Sequence, residues 1–223
     1  ATSLSDCLCS VTANGVAMLQ SCDAPTVTAV IPDNGPLAGG QTVTIRGTVL
    51  SAALTSVKLQ DTVAVTAVTY VSATEIVVVS GAAGSAGSGA VVIESQSFGI
   101  GKGSTYTYNP VPTISVVLPS AVADGGVVVT IIGTNMGASL SDLNEVKLAD
   151  IAVDAVNRTW VSATQVLVIS PYVTSPATSG VVTVSTALYG NATGPVFTFT
   201  GGGGGGGWWW RRHVCQSIVS RCQ

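Results

Sequence analysis

The 223 residues include only 9% charged side chains against 47% hydrophobic ones, and eight basic with eleven acidic residues leave a net charge of −3. With no excess of Lys and Arg there is no electrostatic footprint for a phosphate backbone, so nucleic acid is not expected as a partner. The one His lies in an atypical tail, which leaves no interior imidazole for a triad, a proton shuttle or a His-based metal site; no enzymatic activity, cofactor or metal is expected. No stretch of about 18 consecutive apolar residues offers a membrane span. The uncharged run from Thr159 to Trp210 is broken by Pro171, Pro176, Gly180 and Gly190 and reads as strands and turns.

The chain opens at Ala1 without Met or an apolar leader, as expected of a secreted product whose signal peptide has been removed. Residues 1–24 form an N-terminal arm with Cys7, Cys9 and Cys22, the apolar residues Leu8, Val11, Val16, Met18 and Leu19, and a turn signal at Asn14-Gly15. One reading is a loose or hairpin arm pinned by a disulfide. The other is a donor strand: sandwich edges with so little charge to protect them would accept a strand from a neighbouring molecule and build a head-to-tail polymer.

Beyond the arm the sequence repeats. Pro25-Thr26-Val27-Thr28-Ala29-Val30-Ile31-Pro32 returns as Pro112-Thr113-Ile114-Ser115-Val116-Val117-Leu118-Pro119. Gly39-Gly40 ahead of Thr42-Val43-Thr44-Ile45-Arg46-Gly47 returns as Gly125-Gly126 ahead of Val128-Val129-Thr130-Ile131-Ile132-Gly133. Val57-Lys58-Leu59 matches Val146-Lys147-Leu148, Tyr70-Val71-Ser72-Ala73-Thr74 matches Trp160-Val161-Ser162-Ala163-Thr164, and Phe98-Gly99 matches Tyr189-Gly190. Two homologous domains follow, residues 25–110 and 111–200. Alternation in Thr42-Val43-Thr44-Ile45 and Thr105-Tyr106-Thr107-Tyr108 predicts half-buried strands, and the runs Ile76-Val77-Val78-Val79 and Val166-Leu167-Val168-Ile169 predict strands buried on both faces. The glycine-rich segment from Gly84 to Gly89 lacks the context of a phosphate loop and reads as a hairpin loop. Both units are therefore all-β antiparallel sandwiches of about seven strands.

These motifs resemble the IPT/TIG family of immunoglobulin-like domains: the Pro-Thr opening, the Gly-Gly before a Thr-Val-Thr-Ile-x-Gly strand, the Ser-Ala-Thr ahead of a valine-rich strand and the closing aromatic-Thr-aromatic strand occur in order in both copies. The resemblance implies two tandem early-type immunoglobulin-like β-sandwiches. It also implies the settings of that family, which are cell-surface receptors, secreted adhesive or structural proteins, accessory domains of carbohydrate-active enzymes and Rel-type transcription factors. The basic DNA-contacting loops of the last group have no match here.

Outside the sandwiches, residues 201–223 run from seven glycines, Gly201 to Gly207, into Trp208-Trp209-Trp210-Arg211-Arg212. A GGT repeat encodes Gly in one frame and Trp in another, so residues from about 208 are expected to reflect a frame slip or a misplaced exon boundary; as true sequence, the glycines read as a flexible tether and the Trp-Arg cluster as an anchor. The candidate disulfide residues are Cys7, Cys9, Cys22, Cys215 and Cys222, an odd number with none inside a sandwich. Cys7-x-Cys9 is too closely spaced, and too short of other ligands, for zinc. Two sequons, Asn157-Arg158-Thr159 and Asn191-Ala192-Thr193, are candidate N-glycosylation sites. Asp142, Glu145, Asp150 and Asp154 cluster in sequence but read as a solvated loop rather than as an acid pair or a calcium site. Trp160 and its counterpart Tyr70 read as sandwich aromatics, with sugar stacking the alternative. The expected protein is thus secreted and extracellular, with itself and covalently attached glycans as partners. Head-to-tail assembly into a filament or coat is the leading expectation, and a monomeric cell-surface adhesion or carbohydrate-binding module is the alternative.

Overall fold

The computed structural model describes residues 7–13, 16–173 and 177–201, with side chains from Asp23 onward. The expectations for Cys215, Cys222 and the tryptophan tail concern residues outside the described ones. The strands in chain order are β1 (Cys7–Ala13) and β2 (Val16–Cys22) in the arm. The first sandwich holds β3 (Thr26–Ile31), β4 (Asn34–Pro36), β5 (Thr42–Thr48), β6 (Leu54–Leu59), β7 (Val63–Ala64), β8 (Ala67–Ser72), β9 (Glu75–Val79), β10 (Gly87–Ser95) and β11 (Gly99–Asn109). The second holds β12 (Thr113–Leu118), β13 (Ala121–Val122), β14 (Val128–Thr134), β15 (Leu143–Leu148), β16 (Ile151–Ala152), β17 (Arg158–Ser162), β18 (Gln165–Ile169), β19 (Thr178–Thr186) and β20 (Gly190–Phe199).

Each sandwich packs a four-stranded sheet on a five-stranded one. The orders are β3-β5-β9-β8 with β4-β11-β10-β6-β7 in the first, and β12-β14-β18-β17 with β13-β20-β19-β15-β16 in the second. The short β4 and β13 run parallel to β11 and β20, because the chain changes sheets after its opening strand. A cis X-Pro bond marks the same position in both copies, Ile31-Pro32 and Leu118-Pro119. Alternation supplies the two cores: Val43, Ile45, Ile76, Val78, Val91 and Ile93 are buried in the first, and Val129, Ile131, Val166, Val168, Val182 and Val184 in the second. Each such side chain contributes about 1.5–3 kcal/mol of burial, which is what holds chains so poor in charge together.

Two sequence expectations need correction. The valine runs are not buried on both faces: Ile76 and Val78 of β9 face the core, whereas Val77 and Val79 are half-buried on the outer surface. The segment from Gly84 to Gly89 is no hairpin loop. Both sides of β9 are already paired, with β5 and β8, so the chain crosses to the other sheet and enters β10 at Gly87. In the arm, β1 and β2 pair with each other as a two-stranded sheet, and the turn signal at Asn14-Gly15 lies outside the described residues.

Candidate functional site

A concavity lies where the two sandwiches meet. One wall is the turn from Pro36 to Gln41 between β4 and β5, and the other is the loop from Thr186 to Gly190 together with Asn144 and Asn191. The volume is about 560 Å³, within the range of small-molecule sites.

The first wall is built by the Gly-Gly motif. Gly39 and Gly40 adopt φ of 69° and 80°, and a Cβ on Gly39 would stand 2.5 Å from the Gly81 backbone, so the turn can close only with glycine there. Ser80, which is 1% exposed, clamps it: its carbonyl accepts from Gly40 N at 2.8 Å, its Oγ accepts from Gln41 N at 3.1 Å, and its own N–H donates to Gln41 O at 2.9 Å. The second sandwich repeats the clamp with Ser170, which accepts from Gly126 N and Val127 N and donates to Val127 O. Behind the turn the Tyr106 hydroxyl donates to Gln41 Oε1 at 2.7 Å and orients the amide, while Tyr108 donates to Gly81 O at 2.9 Å.

The second wall hangs on a carboxylate. Asp142 is 5% exposed, and its oxygens accept from Leu188 N at 2.7 Å and Ala138 N at 3.0 Å, while its backbone carbonyl accepts from Ala187 N at 2.9 Å. Thr186 Oγ1 adds a bond from Tyr189 N at 3.1 Å. Arg158 donates to Val153 O and Asn144 O and so fixes Asn144 at the groove. Asn109, the last residue of β11, joins the walls: its Nδ2 donates to Leu188 O at 2.8 Å and to Asn34 Oδ1 at 3.1 Å. The lining contains amides, hydroxyls and one aromatic ring, Tyr189, and no charged side chain.

Of the sequence candidates, Asn191 is exposed on β20 at the groove rim. Asn157 is half-buried at the end of a 3₁₀ turn (Ala155–Asn157), away from the groove lining. Trp160 packs against the core and shares its indole N–H between Met136 O and Gly137 O, both at 3.1 Å, which makes it a sandwich aromatic. Tyr70 stands 44% exposed on edge strand β8. The acid cluster is not one solvated loop: Asp142 is a buried cap, because backbone N–H groups from two loops converge on it, whereas Glu145 pairs with Lys147 at 3.0 Å on the surface. Among the described residues no group of acids, His and Cys is arranged to hold a metal ion. Leu8, Val11, Val16, Met18 and Leu19 fall within β1 and β2, where only the backbone is described, and Cys7, Cys9 and Cys22 share those strands. Sequence reasoning missed Ser80 and Ser170, although each closes a valine-rich run in its copy, and it missed Asn109, whose role depends on a loop of the next domain.

Two tandem early-type sandwiches, each opening on a cis-proline and each clamped by a serine behind a Gly-Gly turn, define an immunoglobulin-like tandem. The IPT/TIG domain model matches residues 25–108 and 112–200, and the chain belongs to that family. No catalytic family is indicated. No curated protein matches the sequence. Among solved structures, the full extracellular region of plexin A4 is similar over 80% of this chain at 25% identity, with a TM-score of 0.52 for domains 1 to 8 and 0.53 for domains 1 to 10. The matched part is 18% and 16% of those plexin chains, so this chain spans less than a fifth of them. SGBP-B from a xyloglucan utilization locus of Bacteroides uniformis aligns over 78% of this chain and 49% of its own, at 21% identity and a TM-score of 0.35. The plexin likeness is consistent with an extracellular setting, and among the described residues no helix is long and apolar enough to cross a membrane.

Proposed function

We propose that this chain is an extracellular adhesion module that binds a neutral carbohydrate in the groove between its sandwiches. The observation that carries the reading is the lining: the Gln41 amide oriented by Tyr106, the Asn144 amide, the Ser185 hydroxyl and the Tyr189 ring offer hydrogen bonds and an apolar face to sugar, with no charge to select an ion. Both walls are held by hydrogen bonds to the buried residues Ser80 and Asp142, so little ordering cost is left to binding. Asn191 is proposed to carry covalent sugar at the rim, and Asn157 a second glycan away from it. The test is a glycan array probed with native and enzymatically deglycosylated protein, followed by titration of the best ligand. Saturable binding that Asn144→Ala and Tyr189→Ala each weaken at least tenfold is expected, with binding unchanged or tighter after deglycosylation. Absence of saturable binding to any neutral glycan overturns the reading.

Self-assembly through the arm is a second reading, favoured by one observation: β1 and β2 form a sheet of only two strands, which is marginal in water and gains by adding to another sheet edge. Light scattering of the full chain beside a variant lacking residues 1–24 separates the two, since assembly predicts a mass that rises with concentration in the full chain alone.

A further inference from the structure

The register of the arm hairpin selects one pairing among its three cysteines. Antiparallel pairing puts Cys7 directly opposite Cys22, with Cys9 opposite Gln20 and Val11 opposite Met18. Directly opposed Cα atoms lie about 4.5 or about 5.5 Å apart, depending on whether the pair is hydrogen-bonded. Both spacings fall inside the roughly 4.4–6.8 Å that a disulfide spans. Cys9 and Cys22 are diagonal neighbours, about 7–8 Å apart. Cys7 and Cys9 are two steps along one strand at about 3.4 Å per residue, the outer limit of that window. By the two-residue period Cys7, Cys9 and Cys22 fall on one face of the hairpin.

We propose that Cys7 and Cys22 form a disulfide that staples the open end of the hairpin and leaves Cys9 as the unpaired thiol. The oxidant is a protein disulfide of the secretory thiol-oxidase class. The Cys7 thiolate attacks one of its sulfurs and displaces the other as a thiolate; Cys22 thiolate then attacks the Cys7 sulfur and displaces the second. One disulfide forms here as one is reduced to a dithiol there, and the two protons of the cysteine thiols end on that dithiol. The staple closes a two-stranded sheet that is marginal alone and fixes its open end three residues before the first sandwich begins at Pro25. It rests on the extracellular placement of the chain, because a reducing compartment would keep both thiols.

The test uses the full chain, once refolded in a glutathione redox buffer and once secreted from cultured eukaryotic cells. Free thiols are alkylated before denaturation, and the protein is then digested without reduction. Arg46 is the first basic residue, so one tryptic peptide contains all three cysteines, and cyanogen bromide cleaves after Met18, between Cys9 and Cys22. Expected are two fragments held together by Cys7–Cys22, an alkyl group on Cys9, persistence of the link in Cys9→Ser and its loss in Cys7→Ser. Alkylation of all three cysteines in the refolded chain, a Cys9–Cys22 link in the wild type, or a bridge from Cys22 to Cys215 or Cys222 would overturn the proposal. A Cys7–Cys22 link in refolded protein with free thiols in the cell-derived protein supports the pairing and counts against the extracellular placement alone.

Discussion

The two sandwiches share topology, register and a serine clamp, yet they hold themselves together differently. The first carries three ion pairs between separate segments, Arg46–Glu75, Lys58–Glu94 and Lys102–Asp61, whereas among the described residues the second has only Lys147–Glu145, along one strand. One difference is an exchange rather than a loss. Ser56 lies opposite Glu94 in the first sandwich and Glu145 opposite Ser185 in the second, so the carboxylate has changed strands and the lysine at the same position still reaches it. The other two are losses. Ile132 and Gln165 occupy the opposed positions of Arg46 and Glu75, and Thr193 of the second sequon stands where Lys102 does. Both sandwiches line the groove with interior hydrogen bonds, but only in the second do they converge on a buried carboxylate, Asp142. That carboxylate lies at the end of the second sandwich that meets the neighbouring domain, and it is the one buried charged side chain among the described residues.

Removing that carboxylate is the largest expected break. Asp142→Ala leaves the N–H groups of Leu188 and Ala138 without acceptors in a buried site and should cost the second sandwich about 2–4 kcal/mol. The corresponding position in the first sandwich is already Ala53, and Ser95 at the start of its equivalent loop has a buried, unpartnered Oγ. Amide exchange at residues 187–190 should therefore accelerate by two orders of magnitude or more while strands β5 and β9 are unaffected. Equal acceleration in both sandwiches would show that Asp142 has no local role.

The closing strands give a smaller contrast. Tyr106 and Tyr108 pack edge to face at 5.0 Å, as Phe197 and Phe199 do at 5.1 Å, so the rings are interchangeable and the hydroxyls are the difference. Tyr108→Phe orphans Gly81 O and should destabilise the first sandwich by about 1–1.5 kcal/mol. Burial, and then the neighbouring Tyr106, push the Tyr108 hydroxyl up to about 12 from its ordinary 10.0, and burial raises Tyr106 as well. A raised folded value means that the stabilising contribution is intact below pH 10 and is lost as pH rises from about 10 through 12, because the unfolded chain ionises first. The first sandwich should therefore yield to denaturant earlier than the second across that window, followed by phenolate absorbance, and Tyr106→Phe with Tyr108→Phe should abolish the alkaline difference.

Much of this architecture was legible in the sequence because it is periodic. Strand alternation, the Gly-Gly turns and the closing aromatic strands repeat in order, and each repeat confirms the other. The groove was not legible, since Asn109 and Leu188 meet only after both domains have folded. Asp142 looked like one more loop acid for the same reason: the N–H groups that bury it come from residues 138 and 188, and composition cannot tell a solvated carboxylate from a capped one. The valine runs misled in another way. An outer sheet face with so little charge carries half-buried valine where most sandwiches carry polar side chains, and this hides the alternation of a one-sided strand.

That outer face supplies the smallest effect on stability and the most direct test of what surface charge does here. Arg46 and Glu75 meet at 3.0 Å on the surface, and such pairs contribute about 0.2–1 kcal/mol, so Arg46→Ile with Glu75→Gln should move the unfolding of the first sandwich by no more than that. The change copies the face of the second sandwich, where Val116, Leu118, Val128 and Ile169 are exposed beside Ile132 and nothing charged lies opposite it. If charge at this register matters for keeping sheet faces apart rather than for folding, the double variant should associate at lower concentration than the parent. The reverse exchange, Ile132→Arg with Gln165→Glu, should then lower association of the parent chain at unchanged stability, and raising salt should erase most of that gain because exposed charges are screened. Equal light-scattering curves for the parent and both double variants would leave the charge difference between the sandwiches without a role in association.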